Sequence, residues 1–399
     1  MMQAVVGVAV LVLCSCAFLL FHSYILFPLI LRWLSGSKAL PYKRFSSSDQ
    51  LPKVFVVFSA FNEAAIIEKK IRSVFQTNYP SHLLDVYVGS DQSTDGTNTI
   101  AQQLTDEFSR LHFFAFEKRS GKSGVLNQLI QKIREQHAAD CILVLTDANV
   151  IFEQKTIAEL VAYFADDRVA LTGANVLNLI PQQDGIAAQE QFYIQRENSI
   201  KYREGLLWGA MQGAFGACYA IRSNCLSEIP TNFLMEDFYI SMKTLQMGHK
   251  VILNPEARCY EDIPAEVQEE FKRKTRISTG NFQNLSAFRN MLLRFDAVGF
   301  CFWSHKVLRW LGPLWLLLML VALAVLWPFH LIWKVMLLGM LLLIASPWID
   351  GWLKNAGIRF SLLRFASYFI SMNAALAVGW WRYVRGVNSG AWNPTKRHV

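Results

Sequence analysis

Leu84-Asp85-Val86-Tyr87-Val88-Gly89-Ser90-Asp91-Gln92-Ser93-Thr94-Asp95-Gly96-Thr97 is an apolar, β-branched run that stops in an acidic, hydroxyl-rich turn. Its first half has the composition of a buried strand, and the helical spacing from Thr97 to Phe108 predicts a helix after the turn. The same grammar recurs on both sides. Val54 to Phe58 reads as a strand and Glu63 to Phe75 as a helix. Leu111 to Phe116 is a strand followed by helical spacing from Gly124 to Gln136. Cys141-Ile142-Leu143-Val144-Leu145 is a further strand, closed by Thr146-Asp147-Ala148-Asn149. Strands alternating with helices predict an α/β fold with a parallel, doubly wound sheet. In such sheets, carboxylates at the carboxyl ends of strands face the crevice that holds nucleotides. Gly173 to Leu179 and Gly209 to Ile221 read as Gly-rich strands, Asp237 to Met247 and Pro264 to Leu292 as helices.

The ends of the chain differ from this middle. Of 399 residues, 53% are hydrophobic, yet the stretch from Lys53 to Arg294 has the charge density of a soluble protein. Val5 to Leu31 is nearly uncharged and long enough for a hydrocarbon core about 30 Å thick. A cleaved signal peptide would have a basic start and a shorter apolar core. Here the positive residues follow, at Arg32, Lys38, Lys43 and Arg44. That order predicts a first helix running outside to inside, with the next segment in the cytoplasm. Val307 to Phe329 and Leu331 to Ile349 predict a helical hairpin turning at Pro328-Phe329. Phe365 to Trp381 is a third apolar stretch with positive residues on both sides, so its crossing is left open. The resulting plan is a transmembrane helix over 1–34, a linker over 35–52, a catalytic segment over 53–294, a membrane region over 295–384 and a basic tail over 385–399.

The net charge of +8 sits in Arg/Lys clusters beside the apolar segments. That suits an anionic membrane and phosphate-bearing substrates. No nucleic-acid module carries a basic stripe, so nucleic acid is excluded as a partner. Seven scattered Cys without CxxC or Cys/His spacing predict reduced thiols rather than zinc.

The chemistry-bearing residues lie at the strand ends. Ser59-Ala60-Phe61-Asn62-Glu63 is a polar turn offering backbone N–H groups and a carboxylate to a nucleotide. After the quoted strand, Thr94 or Asp95 suits the N-cap of the next helix. Asp91 lies one turn too early for that, leaving its carboxylate for a base or ribose edge. Arg119-Ser120-Gly121-Lys122-Ser123-Gly124 lacks the spacing of a P-loop, which excludes a P-loop NTPase, while Lys122 at a helix start suits a diphosphate. Asp147 and Asn149 present oxygens at alternate positions, a pattern for Mg²⁺ or Mn²⁺, although the same residues would cap a turn. Glu236-Asp237 opens a helix and complements its dipole. With Ile240, Leu245 and Met247 turned inward, Asp237 would stand at a buried mouth and take a proton from an acceptor hydroxyl. Lys272-Arg273-Lys274-Thr275-Arg276 forms a cationic cluster that would grip anionic lipid while Arg276 meets a leaving diphosphate.

Assembled, these motifs resemble a membrane-bound family 2 glycosyltransferase of the polysaccharide synthase and N-acetylglucosaminyltransferase-like group, from about Val54 to Leu285 and onward to the apolar ends. The resemblance implies a GT-A fold, a Rossmann-like α/β domain for nucleotide-diphospho-sugars, with transmembrane helices at both ends. It implies a nucleotide base at Asp91, diphosphate and metal at Asp147, and Asp237 of the Glu236-Asp237 pair as general base. Gly121-Lys122 with Leu126-Asn127 is similar to the family's GK…LN element. Gly213-Ala214-Phe215-Gly216 resembles its acceptor-side Gly-rich strand. The Q(Q/R)xxRW motif of processive synthases aligns with Lys272 to Ile277, which places Arg273 at the donor and Arg276 at the leaving group. Lys replaces Gln there and Ile277 replaces Trp, so processive synthesis and single-sugar transfer both remain open.

The reading is an inverting transfer from a nucleotide-diphospho-sugar, a UDP-sugar foremost, to a hydroxyl of a membrane-associated lipid or polysaccharide acceptor. Mg²⁺ or Mn²⁺ would assist, and the catalytic domain would face the cytoplasm from the inner membrane. Donor sugar, acceptor, linkage and oligomeric state do not follow from these residues. Two alternatives are a sugar-phosphate nucleotidyltransferase and a non-catalytic nucleotide-binding membrane scaffold. The first lacks its Gly-rich basic signature here; intact Asp91, Asp147 and Asp237 oppose the second.

Overall fold

The computed structural model describes residues 1–46, 50–137, 141–178, 186–261, 267–358 and 360–387. The chain forms two compact units. Among the described residues, one comprises Leu31–Ala265 with Ala287–Cys301 and the last two described residues from Gly386; the other comprises Met1–Ile30, Glu266–Ser286 and Phe302–Arg385. The chain opens with α1 (Met2–Phe21), a π-helical turn (His22–Leu26) and α2 (Phe27–Ser35). Next come β1 (Val54–Ala60), α3 (Ile67–Phe75), β2 (Leu84–Asp91), α4 (Thr97–Glu107), β3 (Leu111–Phe116), α5 (Gly121–Gln136) and β4 (Ile142–Thr146). β5 (Ile151–Phe152), α6 (Thr156–Val161), β6 (Val169–Asn178), α7 (Ile186–Trp208), β7 (Cys218–Arg222), α8 (Glu236–Gln246) and β8 (Lys250–Glu261) follow. The remainder is helical: α9 (Val267–Ala287), α10 (Ala297–Cys301), a π-helical turn (Phe302–Val307), α11 (Leu308–Trp310), α12 (Gly312–Leu326), α13 (Leu331–Asn355) and α14 (Ser361–Arg385).

The strands make one eight-stranded sheet in the order β3-β2-β1-β4-β7-β6-β8-β5. β3, β2, β1 and β4 run parallel. The expectation of a wholly parallel sheet fails beyond β4: β7 runs antiparallel to both β4 and β6, while β8 returns parallel to β6. β7 is buried on both faces, and a continuous apolar run specifies a strand without specifying its direction. Helices cover both faces of the parallel half. Val54, Val56, Phe58, Val86 and Val88 pack with Ile67 and Ile71 of α3 and with Ala101 and Leu104 of α4. On the other face α5 approaches closely enough that a Cβ on Gly89 would lie 2.4 Å from Val125 Cγ1. Each fully buried Val, Leu, Ile or Phe contributes about 1.5–3 kcal/mol.

β1 pairs with β2 on one side and β4 on the other, so the connections diverge between β1 and β4. A crevice opens outside the carboxyl ends of strands at such a switch point. Asn62, Asp91 and Asp147 follow or end the three strands around it. Leu179 and Pro264, ends of two sequence-assigned elements, lie outside the described residues, as do the tail residues Lys396 and Arg397.

In the other unit, α1 packs on α12 through Ala9, Leu13, Ala322, Leu323 and Leu326. Met2–Ser35, Leu331–Asn355 and Ser361–Arg385 are long and apolar enough to cross a membrane. The single helix expected from Val307 to Phe329 is instead broken at Leu311, where Ala297–Trp310 and Gly312–Leu326 meet at 61°. Pro313 explains the break, because it has no N–H to give to the preceding turn and fits only the start of a helix. His22 is hydrogen-bonded to Ser304 Oγ at 2.9 Å, and Ser23 Oγ donates to the Ser304 carbonyl at 2.6 Å. Ser278 of α9 donates to the Leu376 carbonyl of α14 at 3.1 Å.

Candidate active site

The turns after β1 and β2 are knitted together. Asn62 and Gln92 both adopt left-handed backbone, with φ of 53° and 61°. Asn62 Oδ1 accepts the Thr94 N–H at 2.8 Å, and the Asn62 N–H donates to Ser93 Oγ at 3.1 Å. The Glu63 N–H donates to Thr97 Oγ1 at 2.9 Å and the Ala64 N–H to Asp95 Oδ2 at 3.0 Å. These N–H groups, expected to face a nucleotide, are therefore spent on bracing two strand ends. Asp95 also accepts the Thr97 N–H at 3.0 Å, but the N-cap of α4 is Gly96, not the Thr94 or Asp95 expected.

Asp91 is buried, and it is not the free carboxylate expected from its position. Oδ1 accepts the Ser120 N–H at 2.7 Å and Oδ2 the Gly121 N–H at 3.0 Å. It caps α5 rather than α4, because β2 and the start of α5 end side by side over the crevice. Each oxygen keeps a lone pair for a further donor. Beside it, the Arg119 guanidinium lies 3.6 Å from the centre of the Phe61 ring.

Lys122, in the first turn of α5, reaches into the crevice. Its ammonium lies 2.6 Å from Asp147 Oδ1 and 2.5 Å from Glu236 Oε1. Burial would discharge it, but the two carboxylates outweigh burial and hold it charged. Asn127, one turn further along, is structural: it exchanges two hydrogen bonds with the Ile229 backbone, at 2.7 and 3.0 Å. Asp147 follows β4 on a turn supported from below by Lys70. That fully buried ammonium donates to Thr146 Oγ1 at 3.0 Å and to the Val150 carbonyl at 2.6 Å, and lies 3.8 Å from the centre of the Phe152 ring. Burial lowers its pKa from 10.5 to about 8.

Glu236 and Asp237 occupy the first turn of α8 and are both buried. Asp237 Oδ1 accepts the Phe238 N–H at 2.7 Å. Burial first, and the neighbouring Glu236 second, raise its pKa from 3.8 to about 6, against the pull of Lys122 and Lys201. The Gly213-Ala214-Phe215-Gly216 segment, expected as a strand, is a loop preceding β7. Its glycines serve close approach rather than strand geometry. Gly213 has φ of 79°, and a Cβ there would lie 2.4 Å from Phe238 Cδ2. A Cβ on Gly216 would lie 2.9 Å from Asp237 Oδ2. The Ala214 N–H donates to Ser241 Oγ at 2.9 Å, which bolts the loop to α8.

The fold thus brings Lys122, Asp147, Glu236, Asp237 and Gly216 into one crevice, with Asn62 and Asp91 fixing the turns of its floor. Arg273 and Arg276 lie on α9, in the other compact unit. The Arg273 guanidinium is held by Glu270 at 2.8 and 3.1 Å, and Lys272 pairs with Glu269 at 2.8 Å. Acidic residues one turn earlier therefore offset part of the cationic cluster expected to grip lipid or donor. Sequence reasoning missed Lys70, the second of two adjacent lysines in α3, and Lys201 of α7; only their burial in the fold distinguishes them.

Asn149 is buried, and its Nδ2 is without a hydrogen-bond partner. No group of three His, Cys, Asp or Glu side chains suited to a metal occurs among the described residues. A hard divalent cation commonly takes one or two protein ligands and completes its shell with substrate phosphate and water. Asp147, with the amide oxygen of Asn149 at the alternate position, fits such a substrate-assisted site rather than a closed protein cage; the unpartnered Asn149 Nδ2 is a donor and cannot ligate a cation.

The sequence model of the family described as "Glycosyltransferase like family 2" matches residues 52–280, more than half of the chain. The probable glycosyltransferase YdaM of Bacillus subtilis (strain 168) is 20% identical over 275 residues, 66% of this chain and 63% of that protein. A poly-beta-1,6-N-acetyl-D-glucosamine synthase of Staphylococcus aureus (strain COL) is 23% identical over 281 residues, 66% of this chain and 65% of that protein. The match with these curated relatives thus spans less than two thirds of their length. Among solved structures, the mannosyltransferase PcManGT of Pyrobaculum calidifontis, in complex with GDP-Man and Mn²⁺, superposes with a TM-score of 0.70 at 19% identity. That likeness covers 96% of this chain and 99% of the other, and it shows the shared GT-A fold. With this α/β sheet, its strand-end carboxylates and apolar helices at both ends, the chain belongs to the glycosyltransferase-like family 2.

Proposed function

We propose that the protein transfers a sugar, with inversion, from a nucleotide-diphospho-sugar to a hydroxyl of a membrane-associated lipid or polysaccharide acceptor. The observation that carries this reading is the buried Asp237 beside the Lys122, Asp147 and Glu236 cluster at the switch point of the sheet. The names of the relatives, a polysaccharide synthase and a mannosyltransferase solved with a nucleotide-sugar, support it.

Asp237 takes the acceptor proton as the hydroxyl oxygen forms its bond to the anomeric carbon. The bond from that carbon to the diphosphate breaks on the opposite face, and the electron pair leaves with the diphosphate. A carboxyl group with a pKa of about 6 is ionised at neutral pH and is a stronger base than an ordinary aspartate. Lys122, freed from one of its two carboxylates, meets the diphosphate charge, and Asp91 fixes the turn over which the nucleotide lies. Asp147 and Asn149 would hold Mg²⁺ or Mn²⁺, which when bound supplies a Lewis acid for the leaving group. The apolar helices anchor the chain in the inner membrane, with the catalytic segment on the cytoplasmic side.

The test uses detergent-solubilised protein and radiolabelled UDP-N-acetylglucosamine, UDP-glucose and GDP-mannose. One of them should be consumed, with label recovered in lipid or polymer. Asp237→Asn should cut turnover by about 10²–10⁴ while nucleotide binding persists. Full activity in that variant would overturn the assignment.

A further inference from the structure

α7 contributes a group that none of the acidic motifs signals. Lys201, in the middle of this helix, is only 4% exposed. Its ammonium lies 3.3 Å from the centre of the Phe215 ring, in the loop expected to face the acceptor. The next residue, Gly216, is where a Cβ would lie 2.9 Å from Asp237 Oδ2. Lys201, Phe215, Gly216 and Asp237 therefore form a continuous wall, with a fixed cation at one end and the proposed base at the other. Glu197 and Glu204, both buried, stand one turn before and after Lys201 on the same helix. The charged and titratable groups acting on Asp237 are Glu236 on its own helix, Lys122 of α5 and Lys201 of α7, and Tyr219 of β7 lies in the same field.

Lys122 is already shared between Asp147 and Glu236. When a diphosphate enters the crevice, it competes for that ammonium. Asp237 then stands beside Glu236 with one cation fewer, and neighbouring carboxylates favour proton uptake. Lys201 lies in a buried seat on an aromatic ring, where a cation is held by the ring's quadrupole. Its position does not depend on the donor.

We propose that Lys201 is a positioning residue for the transfer: seated on Phe215, it fixes the acceptor-side loop against Asp237 and keeps that carboxylate ionised once the donor has engaged Lys122. The inference rests on Asp237 being the general base. It adds a second cation to the site, on the side of the base, while Lys122 serves the leaving group.

The experiment measures kcat and kcat/KM against pH for wild type, Lys201→Met, Lys201→Arg and Asp237→Asn, using whichever of the three labelled nucleotide-sugars is turned over. Lys201→Met keeps an unbranched apolar stem but loses the charge. Its acid limb should move upward by about one pH unit, so activity near pH 6 falls about tenfold while activity above pH 8 changes by about twofold. Lys201→Arg should restore the wild-type limb, and the KM for the nucleotide-sugar should stay constant throughout. Phe215→Leu, which removes the ring under the ammonium, should shift the limb in the same direction and decides the matter if Lys201→Met does not fold. An unmoved acid limb in these variants, with Asp237→Asn inactive, refutes the role of Lys201 alone. Full activity in Asp237→Asn refutes the base assignment and this inference with it.

Discussion

Replacing Lys122 by Met removes the one cation shared by Asp147 and Glu236 and leaves Asp237 beside two uncompensated carboxylates. Removing one partner of a buried ion pair costs about 3–5 kcal/mol. The Asp147 side chain is 33% exposed and can be solvated, whereas that of Glu236 is 9% exposed, so the lower end applies, about 3 kcal/mol. For a domain of this size that corresponds to a fall in Tm of roughly 6–12 °C. The loss has a pH signature. A carboxyl group whose folded pKa is raised binds its proton more tightly in the native state, so its stability contribution is lost as pH rises from the unfolded towards the folded value. Asp237 already stands at about 6 with Lys122 present, and the variant, which removes a cation that lowers it, pushes it higher. The Tm gap between wild type and Lys122→Met should therefore be small near pH 5, open as pH rises through about 6, and be complete by about pH 8. Tryptophan fluorescence during heating of the nucleotide-free protein in detergent measures it. Equal Tm values at pH 8, or a gap that widens on acidification, would show that Lys122 does not neutralise the pair.

Three further outcomes follow from the same geometry. Gly213→Ala places a Cβ 2.4 Å from the Phe238 ring at a left-handed backbone position; it should cost about 1–2 kcal/mol in backbone strain alone and lower kcat by displacing the first turn of α8, as seen in thermal unfolding and steady-state kinetics. The acid limb of kcat/KM in wild type should lie near 6, the value reached by Asp237, and a limb near 4 would mean that the base is an ordinary solvated carboxyl group. Lys70 has its pKa lowered to about 8 from 10.5, so the unfolded chain binds more protons across that interval and stability should rise with pH there. At about 1.4 kcal/mol per pH unit the gain is about 3 kcal/mol, to be read as a Tm that increases between about pH 8 and 10 in wild type and not in Lys70→Met.

Much of the parallel half was legible because each strand there is a short apolar run ending in a polar turn. Val54–Ala60, Leu84–Asp91 and Leu111–Phe116 follow directly from that pattern. The far half was harder. α7 is 23 residues long, but its sequence scatters Glu190, Glu197, Lys201 and Glu204 where a core-facing helix would carry aliphatic residues. All four are buried, so the periodicity that identifies an amphipathic helix was carried by charged side chains. Gly213 and Gly216 were assigned to a strand because glycine composition records permissive backbone without recording its cause. In the structure both lie in a loop, at contacts with α8 that a Cβ would obstruct.

The carboxylates were legible; of their counter-charges only Lys122 was, and then as a diphosphate ligand, and the difference is physical. Asp91, Asp147 and Asp237 stand at turns and helix starts, positions that local sequence marks. Lys70, Lys122 and Lys201 come from three different helices, each separated in sequence from the group it serves. Their roles also divide. Lys70 holds the turn that carries Asp147 through hydrogen bonds to its neighbours Thr146 and Val150. Lys122 neutralises Asp147 and Glu236 directly. Lys201 acts at the acceptor-side wall. Buried carboxylates so closely grouped would otherwise take up protons and lose their use as base and ligand. Burial, which with Glu236 raises Asp237 towards neutrality, therefore requires lysines around it, and the balance between the two sets the pH at which the proposed base is ready.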